Sequence, residues 1–301
     1  MEAITKLDQM FDHLKANENK RLVAAYANDS HTIEAVNEAV EKNIIEGILV
    51  GDENIIKSVC QEENIDANRF KIVHEPDEAA SAAKSVSMIN AGDADFLMKG
   101  LVGTDKYMRA ILNKVDGLMD PGAILSHVTV IENACYHKLM VVGDVAVLPK
   151  PDLKQKIAIV NFLVNTARKL GIDCPKTAII SATEKVNVKM PACVDAALIS
   201  QMAKRGQIKN TIIDGPLAVD LAIDMESVEI KGIKSDVAGD ADCLLFPDIQ
   251  SGNVFYKTNT KLADAKLGAM VVGARKPAVL SSRGDSAETK LYSIALAALT
   301  A

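Results

Sequence analysis

The sequence predicts an α/β fold with mostly parallel sheets. Short apolar runs of strand length recur along the chain, and most are separated by patterns of helical spacing. The clearest helical patterns cover residues 31–42, 77–90, 152–170 and 192–204. Because helices that alternate with strands form the crossovers between parallel strands, this order favours parallel pairing.

Eleven apolar runs are predicted as strands. They cover residues 21–27, 46–50, 70–73, 94–98, 126–131, 139–142, 177–180, 211–213, 243–246, 269–272 and 278–280. No linker rich in Pro, Gly or Ser separates two halves of the chain. A division into two domains must therefore be tight, with the chain crossing between the domains more than once.

Composition limits the classes of function. The chain has 301 residues, 49% of them hydrophobic, which suits one large or two moderate domains. A net charge of −6, 4% aromatic residues and no Trp give little support to a nucleic-acid surface. The first ten residues do not resemble a secretory signal, and no apolar run approaches membrane-spanning length.

The cysteines indicate a reducing compartment. None of them forms a C-x-x-C pair, which favours reduced thiols over disulfides or a zinc site, so we expect a cytoplasmic protein. They are Cys60, Cys135, Cys174, Cys193 and Cys243.

Two further motifs have competing interpretations. Asp236, Asp240 and Asp242 could bind a hard cation such as Mg²⁺, although aspartates also cap helices and make turns, and we predict no metal site. Ser81 and Lys84 match the Ser-x-x-Lys pattern of acyl-serine enzymes, but they lie in an Ala-rich helix without companion motifs. We interpret them as helix surface.

Ligands of parallel sheets bind where strands end, so the residues after each strand matter. After residues 94–98 come Lys99, Gly100 and Gly103, and then a helix whose first turns carry Thr104 and Arg109. Helix N-termini favour anions, and a guanidinium adds charge-assisted hydrogen bonds. This stretch is a plausible anion site.

A second such junction lies near the C-terminus. The run 278–280 leads through Ser282, Arg283 and Gly284 into a helix that we expect to begin near Asp285, with Glu288 completing a capping box. Arg283 could hold phosphate there, or it could be a surface residue on an ordinary capped turn. Two arginines at two strand-to-helix junctions suggest one phosphate held from two sides.

Seven segments together resemble the phosphate acetyl/butyryltransferase family over nearly the whole chain. They are Ile48–Asp52, Leu125–Val128, Ser181–Val186, Asp214–Ala218, Val237–Asp242, Ser251–Lys257 and Leu280–Ala295. The resemblance implies reversible conversion of butyryl-CoA and inorganic phosphate to butyryl phosphate and CoA. CoA and acyl-CoA would be substrates, with no tightly bound cofactor.

The resemblance also implies an architecture. It predicts two α/β domains of the isocitrate/isopropylmalate dehydrogenase type, an active-site cleft between them, and a homodimer or higher homo-oligomer. In that fold the C-terminal helix returns to the first domain. We therefore expect a first domain of residues 1–126 plus 276–301 and a second domain of residues 127–275.

Site residues are expected at positions that match the family pattern. Ser282 would hydrogen-bond the CoA sulfur or the tetrahedral centre, Arg283 would bind phosphate or the oxyanion, and Arg109 would be a second phosphate-binding arginine. Acetyl-transferring members carry an Asp where this chain has Thr289, so the base for the thiol stays open. Further substrate contacts are expected from Lys99, Thr104, Asn253, Lys257 and Glu288.

Two enzymatic alternatives to butyryl transfer stay open, beside the alternative of a non-catalytic CoA-binding protein. The acyl substrate could be acetyl-CoA, because one or two methylenes change binding only modestly. A metal-dependent NAD(P) dehydrogenase of related fold is the other alternative, with the aspartates near Asp240 as metal ligands.

Overall fold

The computed structural model describes residues 2–280 and 285–301. Its contacts divide the chain into two compact units. The first unit comprises Asp8–Leu125 with Gly268–Ala301, and the second comprises Met1–Leu7 with Ser126–Leu267. The domain boundaries expected from the sequence, at 126/127 and 275/276, stay a prediction.

The strands of the first unit are mostly parallel, and helices form the crossovers between them. Its elements are α1 (Gln9–Lys15), β1 (Lys20–Ala25), α2 (Ser30–Glu41), β2 (Ile45–Gly51), α3 (Glu53–Glu62), β3 (Lys71–His74), α4 (Glu78–Ala91), β4 (Phe96–Lys99), α5 (Thr104–Ile111), most of β10 (Lys266–Val272), β11 (Ala278–Val279) and α11 (Ala287–Thr300). The strand order is β3-β2-β1-β4-β11-β10, and the pairs are parallel except for β10 with β11.

An aspartate begins each of the first three crossover helices of this unit. Asp29, Asp52 and Asp77 are the N-caps of α2, α3 and α4, and each carboxylate accepts a backbone N–H of the first turn. Such caps satisfy donors that the helix itself leaves unpaired. The chain therefore turns into a helix soon after each strand.

The C-terminal helix α11 packs against α1 and α2. Tyr292 stacks on Phe11 with ring centroids 5.6 Å apart, and its hydroxyl donates to Asp8 Oδ1 at 2.7 Å. The start of α11 differs from the prediction. Its N-cap is Ser286, whose Oγ accepts the Thr289 N–H at 3.1 Å, so the expected capping box of Asp285 and Glu288 is wrong by one residue.

Ser81 is buried, which corrects its interpretation as helix surface. It lies in α4, where its Oγ accepts the Tyr26 N–H at 2.8 Å and donates to the Val50 carbonyl at 3.2 Å. Lys84 is exposed, as expected. The Ser-x-x-Lys match has a structural role, because Ser81 joins α4 to the ends of β1 and β2.

The strands of the second unit are also mostly parallel. Its elements are β5 (Ser126–Glu132), β6 (Met140–Gly143), α6 (Leu153–Lys169), β7 (Lys176–Ile180), α7 (Pro191–Lys204), β8 (Ile212–Leu217), α8 (Val219–Ile223), α9 (Met225–Lys231), β9 (Cys243–Leu245) and α10 (Ile249–Leu262). The strand order is β5-β6-β9-β7-β8, and only β5 with β6 is antiparallel.

The predicted α/β fold with mostly parallel pairing is confirmed. Each of the predicted apolar runs overlaps a strand, and the four predicted helical patterns correspond to α2, α4, α6 and α7. No helix in the described ranges 2–280 and 285–301 combines the length and apolar character needed to cross a bilayer.

Candidate active site

In the first unit, the exit of β4 brings a buried lysine and a close backbone contact together. Lys99 is only 8% exposed, and its Nζ donates to the Gly100 carbonyl at 3.2 Å. A Cβ on Gly100 would lie 2.6 Å from the Tyr26 oxygen and 2.7 Å from the Ala25 oxygen. Glycine is therefore required here, because two carbonyls fill the space that a side chain would need.

Helix α5 begins shortly after this exit and already holds a carboxylate at its N-terminus. Glu78 Oε1 accepts the Gly103 N–H at 2.6 Å, and Glu78 Oε2 pairs with Lys106. The hydrogen bond from Lys106, followed by that from Gly103, lowers the pKa of Glu78. An internal anion thus occupies part of the donor set that the sequence assigned to phosphate.

Thr104 and Arg109 are both exposed on α5. Thr104 is the first residue of α5, and Arg109 lies in the last turn of this helix of 8 residues. Exposure leaves the guanidinium accessible to an anion in solution.

At the second predicted junction, the strand β11 and the helix α11 are described. Ser282 and Arg283 lie outside the described residues. Glu288 is exposed in the first turn of α11, and its Oε1 accepts the Tyr292 hydroxyl at 3.1 Å. Tyr292 therefore bridges the carboxylates of Asp8 and Glu288, and this contact restrains the Glu288 side chain.

In the second unit, a buried carboxylate organises the loop after β6. Asp144 is 2% exposed and accepts five hydrogen bonds. Two come from the Ser126 hydroxyl at 2.7 Å and the His127 N–H at 3.1 Å, both on β5. The others come from the backbone N–H groups of residues 146–148. Backbone dipoles thus compensate a charge that burial would otherwise disfavour.

Helix α10 packs onto this loop and carries two of the expected substrate contacts. Asn253 Nδ2 donates to the Val145 carbonyl at 3.0 Å. A Cβ on Gly252 would lie 2.4 Å from the backbone carbonyl oxygen of Asp144, which shows how closely α10 approaches the loop. Lys257 is exposed one turn later, with its Nζ 4.6 Å from the Tyr256 ring centroid.

The sequence analysis did not single out Asp144. Its partners on β5 are 17 and 18 residues away in the chain, so local spacing gives no signal of the contact. The one available hint was an aspartate two residues after the predicted strand 139–142. The expected residues Lys99, Thr104, Arg109 and Glu288 lie in the first unit, and Asn253 and Lys257 lie in the second.

The aspartates near Asp240 form an ion-pair cluster. Asp240 pairs with Lys138 at 2.8 Å and with Lys176 at 2.7 Å, and Lys138 also pairs with Asp242 at 2.7 Å. Two lysines that hold these carboxylates disfavour a further cation. Within residues 2–280 and 285–301, no group of three His, Cys, Asp or Glu side chains is arranged to hold a metal ion.

The role of Asp144 can be tested with Asp144→Asn. The amide keeps the size of the side chain, but it has one acceptor oxygen and presents an NH₂ to donors. We expect a loss of about 2 to 3 kcal/mol in the free energy of unfolding, measured by urea titration. Asp248→Asn is the control, since Asn serves equally well at the α10 N-cap. Equal stability of both variants and the unmodified protein would contradict the role of Asp144.

The ion-pair cluster predicts a pH dependence. Partial burial of Asp240 would raise its pKa, but hydrogen bonds from Lys138 and Lys176 outweigh burial and lower it well below the ordinary 3.8. The stabilisation is therefore present above about pH 4 and is lost as the pH falls.

At pH 7, Asp240→Asn should lower the free energy of unfolding by about 1 kcal/mol, because solvent screens this half-exposed cluster. The difference from the unmodified protein should shrink in urea titrations below about pH 4. Asp236→Asn, at a neighbouring exposed position, should have little effect. A deficit of Asp240→Asn that is constant down to pH 2 would contradict the electrostatic explanation.

Comparisons with known proteins agree over the full chain. The family model described as Phosphate acetyl/butaryl transferase matches residues 6–84 and 77–298. The phosphate butyryltransferase of Clostridium acetobutylicum is 45% identical over 99% of this chain and 99% of its own length. The phosphate acetyltransferase of Thermotoga maritima is 40% identical over 94% of this chain and 95% of its own.

A solved structure extends the likeness to three dimensions. It is the branched-chain phosphotransacylase of Enterococcus faecalis, with a TM-score of 0.82 and 32% identity. The match covers 93% of this chain and 98% of that one. Sequence and fold thus agree, and the chain belongs to the phosphate acetyl/butaryl transferase family.

Proposed function

We propose that the chain is a phosphate butyryltransferase, which converts butyryl-CoA and inorganic phosphate reversibly to butyryl phosphate and CoA. The full-length relationship to the clostridial phosphate butyryltransferase carries this proposal. The exposed Arg109, on the helix that follows the strand ending at Lys99, supports it, because an accessible guanidinium suits a phosphate substrate.

In the proposed reaction, a phosphate oxygen attacks the thioester carbonyl carbon. The carbonyl electrons move to oxygen and form a tetrahedral centre. When this centre collapses, the carbonyl double bond re-forms, the new bond between carbon and the phosphate oxygen is kept, and the C–S bond breaks. The CoA thiolate leaves and takes up a proton. Arg109 and Arg283 would hold phosphate and the developing oxyanion, and Ser282 would hydrogen-bond the sulfur.

Direct attack of this kind needs no tightly bound cofactor and no covalent intermediate on the enzyme. Further substrate contacts are proposed for Lys99, Thr104, Asn253, Lys257 and Glu288. Of these, Asn253 and Glu288 are already restrained by hydrogen bonds, to Val145 and from Tyr292 respectively. Restraint before binding reduces the entropy that substrate binding must offset.

Several finer features rest on the family resemblance. We propose an isocitrate/isopropylmalate dehydrogenase-like arrangement of two domains with the active site in a cleft, and a homodimer. We also propose a role in butyrate metabolism and a cytoplasmic location, where acyl-CoA thioesters and phosphate are available.

Acetyl transfer is the second candidate, and the relationship to the Thermotoga phosphate acetyltransferase favours it specifically. The dehydrogenase alternative has lost its structural support. Its proposed ligands Asp240 and Asp242 are paired with lysines.

The activity itself is tested by release of free CoA thiol, followed with a thiol-reactive dye. Purified protein with butyryl-CoA should release thiol only when inorganic phosphate is present. Higher kcat/KM for acetyl-CoA than for butyryl-CoA would favour the second candidate. No phosphate-dependent release from either thioester would contradict both.

The two arginines should matter for turnover and not for folding. We expect Arg109→Ala and Arg283→Ala each to lower kcat by about a hundredfold and to raise the KM for phosphate, since each removes a charged donor from the transition state. Arg205→Ala, which removes an exposed arginine at the end of α7, is the control. Near-normal kinetics of either active-site variant would remove that arginine from the mechanism.

A further inference from the structure

A cavity of about 540 Å³ opens within the second unit. We call it the β7–β9 cavity, and the residues that define it here are Ser181, Ala182, Ala192, Val219, Phe246 and Val254. Ser181 and Ala182 follow β7, Val219 follows β8, and Phe246 follows β9. These strands are neighbours and parallel, so the cavity lies at the carboxyl edge of the sheet, where such folds bind ligands.

The walls of this cavity are largely apolar. Phe246 and Phe255 contact each other with ring centroids 5.0 Å apart, and both line it. The residues with polar side chains that line it are Ser181, Ser251 and Thr258, and no charged side chain in the described part of the chain lines it. An uncharged ligand with a few hydrogen-bonding groups would fit these walls without desolvating an unpaired charge.

Exposed lysines lie on the same segments as the residues that line the cavity. Lys185 and Lys189 are exposed on the loop between β7 and α7, in the stretch from Ala182 to Met190 whose two ends line the cavity. Lys257 is exposed next to the lining residue Thr258 on α10. The chain thus presents an uncharged interior and lysines on the adjacent surface.

We propose that the β7–β9 cavity binds the pantetheine arm of coenzyme A, and that Lys185, Lys189 and Lys257 attract the phosphates of its nucleotide half. This rests on the proposed function. The division between cavity and lysines matches the division within CoA, whose arm is uncharged and whose nucleotide half carries the phosphates. The volume lies in the range of about 300–1,000 Å³ that accommodates drug-sized ligands and exceeds the need of a butyryl chain alone.

Segments shared with the family meet at this cavity. Ser181–Val186 supplies Ser181 and Ala182, and Ser251–Lys257 supplies Ser251, Val254 and Phe255. Asp214–Ala218 ends directly before Val219. The cavity therefore brings together stretches that are separate in the chain.

The test uses the full chain and two variants that narrow the cavity. Ala192→Leu adds bulk at the start of α7, and Val254→Phe adds bulk at a side chain that is 65% exposed, where folding tolerates the change. The control is Ala263→Leu, at the exposed C-cap of α10. Thermal unfolding verifies that each variant folds.

Calorimetry measures the dissociation constants of CoA and, by competition, of adenosine 3′,5′-bisphosphate, which has the nucleotide half only. We expect both narrowing variants to raise the dissociation constant of CoA about tenfold and to leave that of the bisphosphate unchanged. The triple variant Lys185→Gln, Lys189→Gln, Lys257→Gln should bind the bisphosphate more weakly than the unmodified protein does. This difference in affinity should diminish at high salt.

Other results would overturn the proposal. Weaker binding of the bisphosphate to Ala192→Leu would place the nucleotide half in the cavity. Unchanged CoA affinity in both narrowing variants would exclude the pantetheine arm from the cavity. A changed oligomeric state with unchanged CoA affinity would assign the cavity to a second copy of the chain. Failure of the unmodified protein to bind CoA at all would instead contradict the proposed function.

Discussion

Parallel pairing is the constraint on which the rest of the molecule depends. A strand that is parallel to its neighbour in the sheet requires the chain to return across the face of the sheet, which the helices of both units accomplish. Within each unit, the exits of strands that run in the same direction then open at the same edge. The exit of β4 with Lys99 and Gly100, and the exits of β7, β8 and β9 around the cavity, are consequences of this one rule.

In the second unit, the charged groups at the carboxyl ends of the strands and those at the amino ends have different kinds of partner. At the carboxyl edge, Asp144 is buried and compensated by a hydroxyl and backbone N–H groups, so its charge is used to fix a loop. At the amino edge, Lys176 begins β7 and pairs with Asp240 in a partly exposed cluster. The first arrangement positions α10 beside the cavity, whereas the second neutralises charge at the opposite edge.

The strands and the main helices could be predicted from the sequence, because the spacing of apolar residues that indicates them is a local property of the chain. The sequence was insufficient where a contact joins distant residues. Asp144 meets Ser126 across two strands, and Ser81 is buried because α4 packs on the ends of β1 and β2. An Ala-rich helix has no strong polar face, so its buried side could not be inferred. The start of α11 was misplaced by one residue because Asp285 and Ser286 are both good caps, and only Ser286 reaches Thr289.

The candidate site was predicted in part by spacing and in part by resemblance. Spacing located the exit at Lys99 and the helix that bears Arg109, but it could not show that Glu78 already pairs with Gly103 at the start of that helix. The uncharged cavity was not predicted, because its walls come from three strand exits that come together only in the folded chain.

The proposed assignment divides the two reactants between the units. Arg109 lies in the first unit, whereas the β7–β9 cavity and its neighbouring lysines lie wholly in the second. On the proposed assignment, the first unit supplies charge to phosphate and the second supplies an apolar surface to the thioester arm. A charged reactant and an uncharged arm need opposite environments, since burial that favours the arm would penalise an unpaired phosphate. Separate units can meet both requirements, which gives a physical reason for a transferase of this kind to be built from two compact units.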